Sequence, residues 1–322
     1  MCGRYTNGTV GRGELDSRFG VTGDDDVLGA LGRYNVAPSE ALALVTVERD
    51  PADPARRGRR AATARWGLLP PWARSLRERV RPINARAETL TSSRLFAPLV
   101  TEAEHRVLVV ADGWYEWLRR EEPADVPAGG RAGRRPDVTK VPFHHRVDDG
   151  APFAMAGVLR TVWLDRDALP EDVVPSVGGT RAARGADTAG TTARDGDGGG
   201  HTRCVADRPG RVAVPTVAII TCAANAVASR LHDRMPAILA GPDEEEAWLS
   251  SATGPADVAA LLAPLADGRV SVAAASPLVN DARAGRDGPE LLDPRATTAA
   301  PAPARRVPPA QLSLLPADRP PR

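Results

Sequence analysis

Aromatic side chains mark the part of this chain that can build a core. Twelve of the 13 aromatics lie at or before Trp163, and Trp248 alone follows. Between these two tryptophans lies the stretch 165–210, which holds GGTRAARGADTAGTTARDGDGGG and has neither an aromatic nor any periodicity. Such a segment buries too little apolar surface to offset the entropy of ordering, so it is read as a disordered insert. The tail 295–322, rich in Ala, Pro and Arg, reads the same way. Two shorter stretches read as loops: basic 51–62 (PADPARRGRRAA) and turn-rich 121–137 (EEPADVPAGGRAGRRPD).

What remains is dominated by strand patterns. Short apolar runs bounded by turn residues occur at 41–47 (ALALVTV), 106–111 (RVLVVA), 153–159 (FAMAGVL) and 212–221 (VAVPTVAIIT). Pro215 marks an edge or a strand start within the last of these. Helix signals are fewer, at 14–19, 89–99, 225–230, 242–249 and 257–265. The segment 242–249 is the clearest, with Pro242 in the first turn and acids after it. Strands and helices do not alternate, which excludes a doubly wound sheet. The expectation is a single α+β domain around an antiparallel or mixed sheet, interrupted by the long insert.

The chain has no apolar run of membrane-spanning length and no apolar segment near its start, so neither a membrane helix nor a signal peptide is expected. Three cysteines (Cys2, Cys204, Cys222) make no disulfide framework and fit no zinc spacing. These features predict a reduced, cytoplasmic protein without metal or cofactor. Net charge is +1, which gives no global attraction to nucleic acid, but 54–86 holds ten arginines and one acid. Arginine forks suit phosphate.

Several short motifs carry chemistry-bearing side chains. Cys2 follows a methionine that is commonly trimmed before a small residue. A chain starting at Cys2 carries an amine of reference pKa roughly 7.7–8.0 beside a thiol of about 8.5, a pair able to close a five-membered thiazolidine ring on an aldehyde. The stretch 65–72 (RWGLLPPW) reads as a rigid turn carrying two indoles, able either to stack on bases or to anchor a core. In 83–88 (INARAE) an extended backbone puts Asn84, Arg86 and Glu88 on one face, for a sugar-phosphate or for an Arg–Glu pair. In 111–117 (ADGWYEW) three aromatics surround Glu116, whose pKa an apolar setting would raise toward that of a general acid or base. His232, in the loop LHDRMP beside Asp233, is a candidate proton shuttle.

Taken together, these motifs resemble the SOS-response-associated peptidase (SRAP) family of abasic-site processing proteins. The matching stretches are CGRY at 2–5 after Met1, RYNVAPSE at 33–40, RWGLLPPWA at 65–73, INARAET at 83–89, RLF at 94–96 and ADGWYEW at 111–117. They continue with PFAMAGVL at 152–159, IITCAAN at 219–225, LHDRMPAIL at 231–239 and SPLVNDARAGRDGPELLDP at 276–294. They follow the family's order and place one SRAP-like domain at 2–294, with a barrel-like β core and flanking helices. Val110 stands where the family usually has proline.

The resemblance implies a monomeric, nucleoid-associated DNA-damage protein that traps ring-opened abasic sites in single-stranded DNA as a thiazolidine crosslink to Cys2, with lyase-type chemistry through the imine and removal of Met1 by the protein itself. In that scheme Glu116 assists proton transfer, His232 promotes ring opening and reversal, and Asn84 orients the sugar or the terminal residue. Arg4 and Arg86 contact phosphates, Trp66 and Pro38 stack on or part the bases, and Asn35 lines the same pocket. The other readings of these residues are an N-terminal-nucleophile amidohydrolase or peptidase, and a non-covalent single-strand binder using Trp66, Trp72 and the arginines.

Overall fold

The computed structural model describes residues 2–21, 25–49, 57–121, 138–169, 210–282 and 285–297. Most of the 121–137 loop, 170–209 of the insert, 298–322 of the tail, and with them Cys204, lie outside the described residues.

The chain opens with a two-residue strand, β1 (Tyr5–Thr6), and helix α1 (Arg12–Phe19), which buries Leu15 and Phe19 and stops at Gly20 in the left-handed conformation. Two long antiparallel strands follow, β2 (Ala41–Arg49) and β3 (Arg57–Trp66). Next come β4 (Asn84–Arg86), α2 (Ala97–Thr101), β5 (Arg106–Ala111), β6 (Gly113–Glu121), β7 (Val138–Val147) and β8 (Phe153–Asp165). Beyond the insert are β9 (Arg211–Ala223), β10 (Arg234–Pro236), β11 (Ile238–Leu239), α3 (Pro242–Leu249), α4 (Pro255–Ala260) and β12 (Val270–Ala274).

Five strands close on themselves. β9 pairs with β3, β3 with β2, β2 with β5, β5 with β8, and β8 again with β9. Only β3 and β9 run parallel within this ring, so the barrel is mixed. Closure leaves no open edge along the ring, and strands covered on both faces read as continuous apolar runs. β5 is buried at every residue and β9 at all but its ends. Pro215 lies inside β9, one residue before β3 joins at Thr216. At that point β9 has only β8 beside it, which is where a residue without an N–H is tolerated.

A second, antiparallel sheet runs β1-β6-β7-β12. The chain leaves the barrel at Ala111, the end of β5, and enters this sheet at Gly113 through the single residue Asp112. It returns through a turn at Asp148–Gly150 into β8. Trp114 of β6 packs edge-on against Phe153 of β8, with ring centroids 6.3 Å apart, so one core serves both sheets.

Four expectations need correction. Residues 57–62 are not loop but the first half of β3. Its lack of large apolar residues hid it: Ala61, Ala62, Thr63 and Ala64 are buried in the ring, while Arg59 pairs with Glu245 and Glu246, and Arg60 with Glu48. The helix expected over 89–99 is a run of turns with α2 only at Ala97–Thr101, since Pro98 suits a first turn rather than an interior. Residues 225–230 form one short 3-10 turn, Ala228–Arg230, and the last helix begins earlier and ends sooner, at Pro255–Ala260. The helix at Pro242–Leu249 stands where expected, and α1 starts two residues before its expected position. Two strands, β6 and β7, fill what the sequence left unassigned.

Candidate functional site

The two sheets meet where the chain begins. Cys2 is fully buried just ahead of β1. Its carbonyl accepts a hydrogen bond of 2.8 Å from Asn84 Nδ2, on β4. β4 runs parallel to β9, and β10 runs antiparallel to the same strand one step further on, so Asn84 and the loop carrying His232 are delivered by one scaffold. Glu116 comes from the other sheet, on β6. It is 3% exposed, and its carboxyl pKa is pushed up to about 7 by burial first, with the nearby Asp233 carboxylate adding to the rise. Burial also pushes the Cys2 thiol well above its ordinary value, and the Glu116 charge adds to that effect. Glu116 therefore lies within electrostatic reach of both Cys2 and Asp233, and Asn84 is tied to Cys2 by its hydrogen bond.

His232 is held near Nδ1 by two partners. Asp233 Oδ1 lies 2.8 Å away and the Arg234 N–H donates to it from 3.0 Å. A protonated Nδ1 donates to Asp233, and a bare one accepts from Arg234. Either state has a partner, which suits a group that gains and loses a proton. Desolvation lowers the His232 pKa, so the neutral ring is favoured at physiological pH.

The arginines divide into two kinds. Arg4 Nη1 donates to Asn35 Oδ1 (2.5 Å) and to the Val279 carbonyl (2.8 Å), with its guanidinium 5.9 Å from the centre of the Trp117 ring. Asn35 is in turn fixed by Asp287, whose carboxylate accepts from the Asn35 and Tyr34 N–H groups and from Arg33 Nε. Arg86 is exposed on the same face of β4 as Asn84. Of the two readings of this row, the Arg–Glu pair is made with a different arginine. The chain turns into a 3-10 helix at Ala87–Thr89, and Glu88 takes both guanidinium nitrogens of Arg234 at 2.6 and 2.9 Å.

The two indoles of RWGLLPPW part company. Trp66 is 1% exposed, donates from Nε1 to the Ile83 carbonyl (2.9 Å) and packs edge-on against Tyr5. Gly67, at φ +125°, turns the chain immediately after it, a conformation that favours glycine. Trp66 is thus a core anchor beside the site, its ring held inside the fold rather than on an exposed face. Trp72 is the exposed ring, 67% accessible, on a loop with exposed Arg74, Arg77, Arg79 and Arg81. Pro38 lies half-buried in a turn whose next residue, Ser39, donates to the Trp66 carbonyl, so it sits near Trp66. What Asp233, Trp117 and Asp287 contact was not visible in the sequence. Asp233 and Asp287 lie in stretches whose pattern was recognised, but nothing local shows what a loop carboxylate will bind.

Among the described residues, no group of three or more His, Cys, Asp or Glu is placed to hold a metal, and no helix is long and apolar enough to cross a membrane. Cys222 is buried in β9 as part of the core.

A mixed barrel with a buried cysteine at position 2, a carboxylic acid of raised pKa and a partnered histidine at its seam defines the class, and the family comparison agrees. The chain belongs to the SOS response associated peptidase (SRAP) family, whose model matches residues 1–185 and 191–282. It is similar to abasic site processing protein YoaM of Bacillus subtilis (strain 168), 27% identical over 300 residues that cover 91% of this chain and 98% of that one. It resembles YoqW of the same organism at 28% over 307 residues, covering 91% and 99%. A solved structure of a protein from Bacteroides thetaiotaomicron shares the fold, with a TM-score of 0.60, 20% identity and coverage of 91% and 99%.

Proposed function

We propose that this protein captures abasic sites in single-stranded DNA through a covalent bond to Cys2. The observation that carries the reading is the burial of Cys2, the second residue, within electrostatic reach of the buried Glu116 carboxyl, with Asn84 bonded to the Cys2 carbonyl. Relatives named abasic site processing proteins, matched over nearly their full length, support it.

Removal of Met1 exposes the Cys2 α-amine. The amine attacks C1′ of the ring-opened deoxyribose, and the carbinolamine loses water to give an imine. The thiol then adds across the C=N bond, its proton ending on nitrogen, and the five-membered ring closes with one water released overall. Burial keeps the thiol protonated, so closure needs a base to take the S–H proton. Glu116, half ionised near pH 7, supplies the proton for dehydration in its acid form and accepts the thiol proton in its anionic form. His232 is the second proton carrier, acting in sugar-ring opening and in reversal. Asn84 holds the Cys2 carbonyl and thereby aims the reacting residue. Arg4 and Arg86 take the flanking phosphates, and Trp72 with its neighbouring arginines offers a base-stacking surface.

The test is incubation with oligonucleotides, intact or bearing one abasic site, followed by a denaturing gel. A gel-stable adduct is expected only with the lesion and only when Cys2 is present, and mass mapping should place it on an amino-terminal Cys2 without Met1. Equal crosslinking by Cys2→Ala overturns the reading. Glutamine hydrolysis without crosslinking points to amidohydrolase chemistry, and gel-labile, lesion-blind binding points to a plain single-strand binder.

A further inference from the structure

The segment that carries Cys2 is held to β6 mainly by backbone bonds. These pair Tyr5 with Trp114 and Thr6 with Gly113, and the Tyr115 N–H donates to the Arg4 carbonyl at 3.0 Å. Continuing this register sets Gly3 opposite Glu116 and Cys2 opposite Trp117. Backbone ladders look alike every second residue, so they do not by themselves choose the register. A slip of two residues keeps every side chain on its own face. It moves Cys2 along β6 by about 7 Å, opposite Tyr115 or Arg119 instead. A strand of two residues is the kind that slips.

On its other side the segment is bonded to Val36 through Tyr5 and to Ala30 and Arg33 through Asn7, and on the β6 side one buried polar cluster resists the slip. Asp112, the single residue between β5 and β6, accepts from Thr6 Oγ1 at Oδ1 (2.5 Å) and from the Thr9 N–H and Oγ1 at Oδ2 (2.7 and 2.8 Å). Its own N–H donates to the Thr6 carbonyl at 2.9 Å. His144, across the sheet on β7, lies with Nε2 2.9 Å from the same Thr6 hydroxyl. The hydroxyl has one proton, which goes to the carboxylate, so His144 Nε2–H donates to Thr6. Gly113 makes room for the ring: a Cβ there would sit 2.2 Å from His144 Nε2. Asp112, Thr6 and His144 are all buried. A slip of two places Gly8 or Arg4 at this point, and neither supplies the hydroxyl.

We infer that the Thr6–Asp112–His144 cluster is a register pin, a set of positioning residues that fixes Cys2 against Glu116. The inference rests on Cys2 being the reacting residue. Anchoring sits on Asp112, at the joint between barrel and sheet, so the frame of reference for the reacting amine is the barrel itself.

The experiment compares wild type, Thr6→Val, Asp112→Asn and Thr6→Ser. The first readout is the crosslinking rate at saturating abasic-site oligonucleotide. The second is the dissociation constant for an oligonucleotide carrying tetrahydrofuran, an abasic analogue that cannot open to an aldehyde. Thr6→Val and Asp112→Asn should lower the rate at least tenfold while tetrahydrofuran affinity stays within twofold, and Thr6→Ser, which keeps the hydroxyl, should return the rate to within threefold of wild type. Wild-type rates in Thr6→Val and Asp112→Asn overturn the pin. So does a parallel fall in rate and tetrahydrofuran affinity, the sign of a general loss of structure. Crosslinking that survives Cys2→Ala instead removes the functional reading, and the pin with it.

Discussion

β5 and β6 are consecutive strands with one residue between them, yet they bury opposite chemistry. β5 presents RVLVVA, and beyond its first residue it puts only aliphatic groups out of water. β6 buries a tryptophan, a tyrosine and a carboxylic acid, against two buried histidines on β7. Burial holds those histidines neutral, His144 down to about 3 and His145 to about 4, with His145 stacked on Trp114. Burying titratable groups costs free energy, and a chain that does so beside an apolar ring is drawing on the ring's stability. The contrast separates an apolar barrel wall from a sheet rich in buried titratable groups, with Glu116 on that sheet and Asn84 and the His232 loop on the barrel side.

The sharpest way to break this contrast is Glu116→Gln. It should slow crosslinking by about 10²–10⁴, the usual worth of a general acid–base group. The folded-state pKa of Glu116 lies above the unfolded value of 4.5, so its stabilising contribution is full below pH 4.5 and is lost as pH rises through about 7. Above pH 7 the wild type carries the cost of a buried charge, and the amide should gain on the order of 2 kcal/mol, seen as a higher Tm at pH 8 than wild type and little difference at pH 4.5. A wild-type rate, or a lower Tm at pH 8, would remove Glu116 from the reacting centre. The crosslinking rate of the wild type should also be bell-shaped in pH, with one limb near 7.

Leu108→Ala is the matching probe of the barrel. Leu108 is wholly buried between Val45 and Ala156 in neighbouring strands, and truncation should cost about 3 kcal/mol by chemical denaturation. Crosslinking by the folded protein at low temperature should stay within twofold. A rate that falls with stability would mean that barrel and site are not separable. Trp72→Ala tests the exposed arm and should weaken binding to single-stranded DNA by about 1–2 kcal/mol with no change in Tm. An equal loss in the buried Trp66 alone, with Trp72→Ala silent, would return stacking to the inner ring. The smallest effect is electrostatic: Arg74→Gln should reduce the slope of log affinity against log salt by about 0.7 if it neutralises one phosphate.

Much of the site was legible because its chemistry is local. A cysteine at position 2, a carboxylate among aromatics and a histidine next to an aspartate are each visible in a handful of residues. Strands with large apolar residues were equally legible, β5 almost to the residue. β3 was not, because RGRRAATARW hides a buried alanine row among arginines whose partners, Glu48, Glu245 and Glu246, lie far away in sequence or on another element. Periodicity reports a side chain's size and polarity, but not whether a distant acid will neutralise it.

By itself, the order of residues determined which reactive groups this protein owns and that they belong to one α+β unit, since amine, thiol and carboxyl chemistry and β propensity travel with the residue. The fold alone decided which indole faces water, which arginine Glu88 accepts, and that Asp112, set between two strands, ties the first strand in place. Those outcomes depend on the register between segments a hundred or more residues apart, where a shift of one position exchanges inside for outside.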